Sequence, residues 1–201
     1  MAYTTLANVR TYLKFNASET GDDTLLTGLI PHAQMLINNY VGYAFEASAD
    51  TARKFDAISD LAHTPRAKTF YARTLYFDTY LAQLTSVVFN NTTLQSADYV
   101  FEPRNQAPYY AMTILGSSPR FWDFDDDSEN AITVTGRWAY SVTAPHIIEQ
   151  ACIELVAYMY NKRFQTEGDA PDTSPDGAVM SMMPRYLMNY LAPYRKMVSW
   201  R

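Results

Sequence analysis

The acidic run Asp123-Phe-Asp-Asp-Asp-Ser-Glu129 is the best candidate for chemistry in this 201-residue chain. Asp123, Asp125 and Asp127 have the one-three-five spacing that opens an EF-hand loop, where alternate carboxylates converge on a cation. The sixth position is Ser128 where such a loop needs Gly, and the twelfth is Val134 where it needs a bidentate Glu. The run is therefore read as carboxylates on an exposed turn. His32, His63 and His146 stand far apart, with no second His or Cys at ligand spacing. There is no Gly-x-Ser-x-Gly elbow, and none of the seven glycines forms a phosphate-cradling loop. The single cysteine, Cys152, has no internal disulfide partner and falls on the apolar side of a helical pattern, as a small hydrophobe would. No catalytic residue, cofactor or metal ligand is assigned.

Two amphipathic helical blocks, Asp22–Phe45 and Pro145–Phe164, frame the chain. In the first, Leu26, Leu29, Ile30, Ala33, Leu36, Ile37, Tyr40 and Val41 recur at three- and four-residue steps. Asp22 and Asp23 are expected to cap it, Pro31 to kink it, and Gly42 to stop it. In the second, Ile148, Ala151, Cys152, Leu155, Val156 and Met159 form a matching stripe behind Pro145 at the first turn. A short helix capped by Thr4 or Thr5 precedes them. Packing the two stripes together buries both.

Between the blocks the period changes to that of strands. Arg73–Tyr80, Leu84–Phe89, Tyr99–Phe101, Tyr109–Leu115 and Ala131–Tyr140 are rich in β-branched and aromatic residues. Asn90-Asn91, Pro103, Gly116–Pro119 and Asp125–Asp127 punctuate them as turns. Ile132, Val134 and Gly136 alternate with Thr133, Thr135 and Arg137, the pattern of a half-buried antiparallel strand. Five to seven mostly antiparallel strands are expected. The fold class is α+β: a helical core of three to four helices, residues 1–50 and 143–201, with an inserted antiparallel β domain, residues 51–142.

The composition, 48% apolar and 18% charged, is that of a folded globular chain. The formal charge of −5 argues against a general nucleic-acid binder. No signal-peptide pattern and no apolar run of bilayer length are seen, so a soluble protein made in the cytosol is expected. The acids stop at Asp176, and Arg185, Arg195, Lys196 and Arg201 follow a Gly-, Pro- and Asp-rich linker. Tyr186, Tyr190 and Tyr194 repeat at four-residue spacing in the same segment, with Trp200 beyond them. A helix from Pro184 to about Trp200, broken at Pro193, is expected. Tyr186, Tyr190, Tyr194, Arg195, Lys196, Trp200 and Arg201 are the candidate partner-binding residues, because aromatic and Arg side chains dominate interfaces.

The run from Asp22 to Phe45, with Asp-Asp, Leu-Leu, Ile and a closing Tyr-Val-Gly-Tyr-Ala-Phe, resembles the opening of tailed-phage head–tail connector (adaptor) proteins. Val134-Thr-Gly-Arg-Trp-Ala-Tyr140 and Ala144-Pro-His-Ile-Ile-Glu-Gln-Ala151 resemble their strand, aromatic-Gly turn and returning helix. The long β insertion departs from the all-helical members. The resemblance implies a virion neck component: a homo-oligomeric ring, usually of twelve copies, under the portal protein. DNA would pass its channel without specific binding, stopper or tail-completion proteins would attach below, and no membrane is involved. Competing readings are a stopper or tail-completion protein and, from a different class, a small metal-dependent hydrolase or carbohydrate-binding β module using Trp122 and Asp123–Asp127. Deleting everything after Gly177 is expected to leave a folded core without portal binding.

Overall fold

A computed structural model describes residues 2–57, 73–122, 128–162 and 183–196. Its contacts divide the chain into two units, Met1–Tyr43 with Ala144–Arg201, and Ala44–Thr143. The α+β class expected from the sequence is what the chain adopts.

The first unit is helical: α1 (Leu6–Tyr12), α2 (Asp23–Val41), α3 (His146–Lys162) and α4 (Arg185–Leu191). Thr5 caps α1 by accepting from the Asn8 amide at 3.3 Å. The Asp22 and Asp23 carboxylates do not cap α2 as expected. Asp22 accepts from the Tyr160 hydroxyl at 2.5 Å, and Asp23 pairs with Arg10 at 2.5 Å. Both carboxylates bind neighbouring helices, a tertiary use that the local pattern does not encode. Pro31 lies inside α2, which continues to Val41 and ends on Gly42 in the left-handed conformation (φ +90°).

Leu26, Ile30, Ala33, Ile37 and Val41 form the buried stripe of α2, which packs on α3. α3 buries Ile148, Ala151, Cys152, Ile153, Leu155, Val156, Ala157 and Tyr160, a much wider face than one stripe. It is the central helix, touched by α1, α2 and α4. Asn8 of α1 donates to Glu149 of α3 at 2.8 Å, and Leu187 and Leu191 anchor α4.

Among its described residues the second unit holds seven strands: β1 (Thr51–Phe55), β2 (Thr74–Leu81), β3 (Gln83–Phe89), β4 (Thr92–Thr93), β5 (Tyr99–Glu102), β6 (Tyr109–Ile114) and β7 (Ile132–Arg137). They make two antiparallel sheets, ordered β1-β7-β3-β4 and β2-β6-β5. The chain changes sheets between β2 and β3, where the Ala82 amide donates to the Arg137 carbonyl at 2.8 Å. Gly136 sits against this corner. A Cβ there would run into the Gln83 carbonyl oxygen and lie 2.9 Å from Leu81 Cδ1. Leu75, Leu81, Val87, Phe89, Met112, Ile114, Trp122, Ile132, Val134 and Trp138 build the core between the sheets. The β1 and β2 edges are tied by Arg53–Asp78 at 2.5 Å and by the Phe55–Phe77 ring contact. Entry and exit of this unit lie side by side, since the Tyr140 and Ser141 amides donate to the Ala44 and Phe45 carbonyls.

Candidate protein-interaction surface

The buried positions Leu187 and Leu191 fix the rotation of α4, and the residues just before them therefore face outward. Tyr186 is 47% exposed and Tyr190 50% exposed, with their rings edge to face at 6.2 Å. Glu154 of α3 accepts from Gln150 Nε2 at 2.9 Å. The Tyr186 pKa is pushed above the usual phenol value, chiefly by partial burial, then by Glu154, Tyr12 and Tyr190. Tyr12, at the end of α1, is itself exposed. Ile147, seven residues before Glu154 on α3, is exposed on the same face of that helix.

Tyr194 does not join this cluster. Its carbonyl accepts from the Tyr43 hydroxyl. The Arg195 guanidinium lies 5.2 Å from the centre of the Tyr40 ring, and the Lys196 amide donates to the Val41 carbonyl at 2.8 Å. α2 has no basic residue in its last turn, so Arg195 brings a cation near the negative end of that helix dipole. The expected helix to Trp200 ends early, as a 3-10 turn over Ala192–Tyr194 at Pro193. Trp200 and Arg201 lie outside the described residues.

A second face lies on α2, opposite its buried stripe: Thr24, Gly28, Pro31, Met35 and Asn39 are all exposed. Asp23 is the only charged residue in the whole helix. A solvated helix face normally carries charges. Met35 is 51% exposed, and a Cβ at Gly28 would meet nothing within 4 Å. A shallow depression of about 460 Å³ opens here, lined by Ala2, Pro31, Gln34, Met35, Asn38 and Asn39. The uncharged run from Thr24 to Val41 was visible in the sequence, but nothing there marked it as solvent-facing.

Among the described residues, no group of three His, Cys, Asp or Glu side chains could hold a metal. Asp123–Asp127 and His63 lie outside those residues. Trp122 is no binding platform: it is 3% exposed, stacks edge to face on Phe89, and donates Nε1–H to the Arg73 carbonyl at 3.0 Å. Burial, and secondarily Glu149, push the Cys152 thiol up to about 12. A wider depression of about 610 Å³, lined by Lys14, Phe15, Glu19, Gly21, Asp22 and Tyr160, is open to solvent. Its Asp22–Tyr160 contact ties α2 to α3. Among the described residues, no helix is long and apolar enough to cross a membrane.

The described residues form a helical unit and a two-sheet unit, with apolar side chains exposed on the helices. A model of the head completion protein family matches residues 2–197, and the chain belongs to that family. This bears out, at family level, the resemblance to phage head–tail connector proteins. Comparison with curated proteins by sequence finds none that matches. The fold is similar to that of a chain in the neck of an empty gene transfer agent (GTA) particle computed with C6 symmetry (TM-score 0.55, 13% identity, 96% of this chain and 90% of that chain). A chain from the neck of the native GTA particle, computed with C12 symmetry, gives 0.54 and 12% over 96% and 89%. A chain in the virion of the native particle gives 0.55 and 16% over 96% and 90%. At such identities the likeness is one of fold.

Proposed function

We propose that this chain is a non-enzymatic neck component of a tailed-phage-like particle, an adaptor that forms a ring under the portal protein. The observation carrying the reading is that its family match and its fold both run through nearly the full chain, the fold being shared with chains of particle necks computed with C12 and C6 symmetry. Twelve copies around the portal, with stopper or tail-completion proteins below, fit that symmetry. The acidic balance of −5 suits a channel through which DNA slides without specific binding. Residues 197–201, with Trp200 and Arg201, are the segment assigned to the portal. They follow directly on Lys196, which α2 holds in place.

The described structure changes how this is tested. Removing everything after Gly177 would take out Met183, Leu187 and Leu191, all buried in the helical unit, so a folded core is not the expected product. Ending the chain after Lys196 keeps those anchors. That shortened protein is expected to fold normally and to lose binding to portal-bearing capsids in a pull-down. Undiminished capture would refute the assignment of residues 197–201. Imaging the subunit relative to the portal separates an adaptor from a stopper or tail-completion protein.

A further inference from the structure

We infer that Tyr194, Arg195 and Lys196 form a strap: tied across the C-terminal end of α2, they fix the point from which residues 197–201 reach their partner. The inference rests on the portal reading above and deepens it, because it gives the tail a device that positions it.

α2 stops at Gly42, whose amide returns to the Asn38 carbonyl at 2.8 Å. The Val41 carbonyl, last in the helix, accepts instead from the Lys196 amide at 2.8 Å. Two residues earlier, the Tyr194 carbonyl accepts from the Tyr43 hydroxyl. A spacing of two puts both backbone groups on one edge of an extended segment, so the strap is held by its main chain, as a strand is. Arg195 between them is extended (φ −62°, ψ 133°), and its own amide turns back to the Ala192 carbonyl at 3.2 Å. Its guanidinium lies 5.2 Å from the centre of the Tyr40 ring, whose hydroxyl donates to the Met188 carbonyl of α4 at 3.2 Å. The strap passes directly over Gly42, where a Cβ would stand 3.4 Å from Lys196 Cβ.

Side-chain burial does not account for this hold. Leu187 and Leu191 already anchor α4, whereas Arg195 and Lys196 are exposed and Tyr194 is half-buried. What the strap supplies is direction. A segment whose root is fixed gives up less freedom on binding than one that swings. Tyr40 and Tyr43 are then positioning residues, acting on the partner through the strap.

Two substitutions at Lys196 in the full chain separate direction from contact. Lys196→Ala removes the side chain and keeps the amide. Lys196→Pro removes the amide and sets a ring carbon against the Val41 carbonyl. Arg195 is already extended, as the residue before a proline should be. Affinity for portal-bearing capsids, melting temperature and, in the parent, hydrogen exchange at the Lys196 amide are measured. That amide is expected to exchange slowly, and Lys196→Ala to bind within about twofold of the parent. Lys196→Pro is expected to bind about tenfold more weakly or worse with helical circular dichroism unchanged, because binding must then order backbone that the parent holds ready. An unprotected Lys196 amide would mean no strap and overturn the inference. Equal weakening by both substitutions would point to a side-chain contact and overturn it too. So would the parent's affinity in Lys196→Pro, with a lower melting temperature marking a helix cap alone. Should Lys196→Pro fail to fold, Tyr43→Phe decides: it removes the other tie with one oxygen, a weakening of about threefold is expected, and unchanged affinity overturns the inference. A parent that does not bind the capsids, or a chain ended after Lys196 that binds them equally well, would instead refute the portal reading, and this inference with it.

Discussion

The two units of this molecule finish their folding differently. The β unit hides its large side chains: among its described residues only Tyr76 is a large apolar side chain left exposed. The helical unit leaves Tyr12, Leu25, Met35, Ile147, Tyr186 and Tyr190 on view. Scattered exposed hydrophobes are normal, and these fall on all four helices; Tyr186 and Tyr190 share one face of α4, and Met35 lies on a face of α2 that carries no Asp, Glu, Lys or Arg. Among the described residues, the helical unit exposes more large apolar side chains than the β unit.

The largest effect should come from the β unit. Gly136→Val drives a side chain into the Gln83 carbonyl at the corner between the sheets. A loss above about 3 kcal/mol is expected, enough to unfold this unit. Fluorescence of the buried Trp122 and Trp138 reads it, while helical circular dichroism should persist. Simultaneous loss of both signals would show that the units are not independent.

Leu155→Ala in the central helix should cost about 2–5 kcal/mol. Cys152 alkylation at about pH 8 reports the resulting opening, since only the accessible thiolate reacts. The linkage has a definite sign. Burial, and then Glu149, push the native thiol up from its ordinary 9.0 to about 12, so the proton is held more tightly in the folded state. The helical unit should lose stability as pH rises from 9.0 toward about 12, and be unaffected by this group below 9.0.

A smaller loss, about 0.5–1.5 kcal/mol, is expected for Tyr43→Phe, which removes the hydroxyl donor to the Tyr194 carbonyl. Chemical denaturation of the helical unit measures it. The smallest stability change should accompany Met35→Ser and Tyr190→Ser, within about 0.5 kcal/mol of the parent.

Much of this organisation was legible from residue patterns. The stripes of α2 and α3, the Gly42 stop and the Ile132–Val134–Gly136 alternation all appear in the structure. β1 escaped notice because Thr51–Phe55 is a short edge strand whose half-buried face carries the charged Arg53, over the Trp138 ring, beside Phe55, which blurs the alternation. The two-residue β4 carries no periodicity. Asp22 and Asp23 read as caps, yet their oxygens go to Tyr160 and Arg10, contacts set by packing.

The candidate surface divided in the same way. The four-residue repeat of Tyr186 and Tyr190 carried through to one exposed face, because α4 continues as a helix across both. Tyr194, Arg195 and Lys196 left that face once Pro193 ended the helix, and they engage the end of α2. Tyr12, Ile147 and Met35 had no local mark, since exposure on a shared surface is decided by which helices pack together.

The most direct test of the account is the native mass of the full-length protein, alone and mixed with the portal protein of the same particle. A discrete complex carrying this chain in multiple copies matching the portal symmetry, twelve for a twelvefold portal, is the predicted result. A lone subunit that never associates with the portal, at any concentration of either, would contradict it.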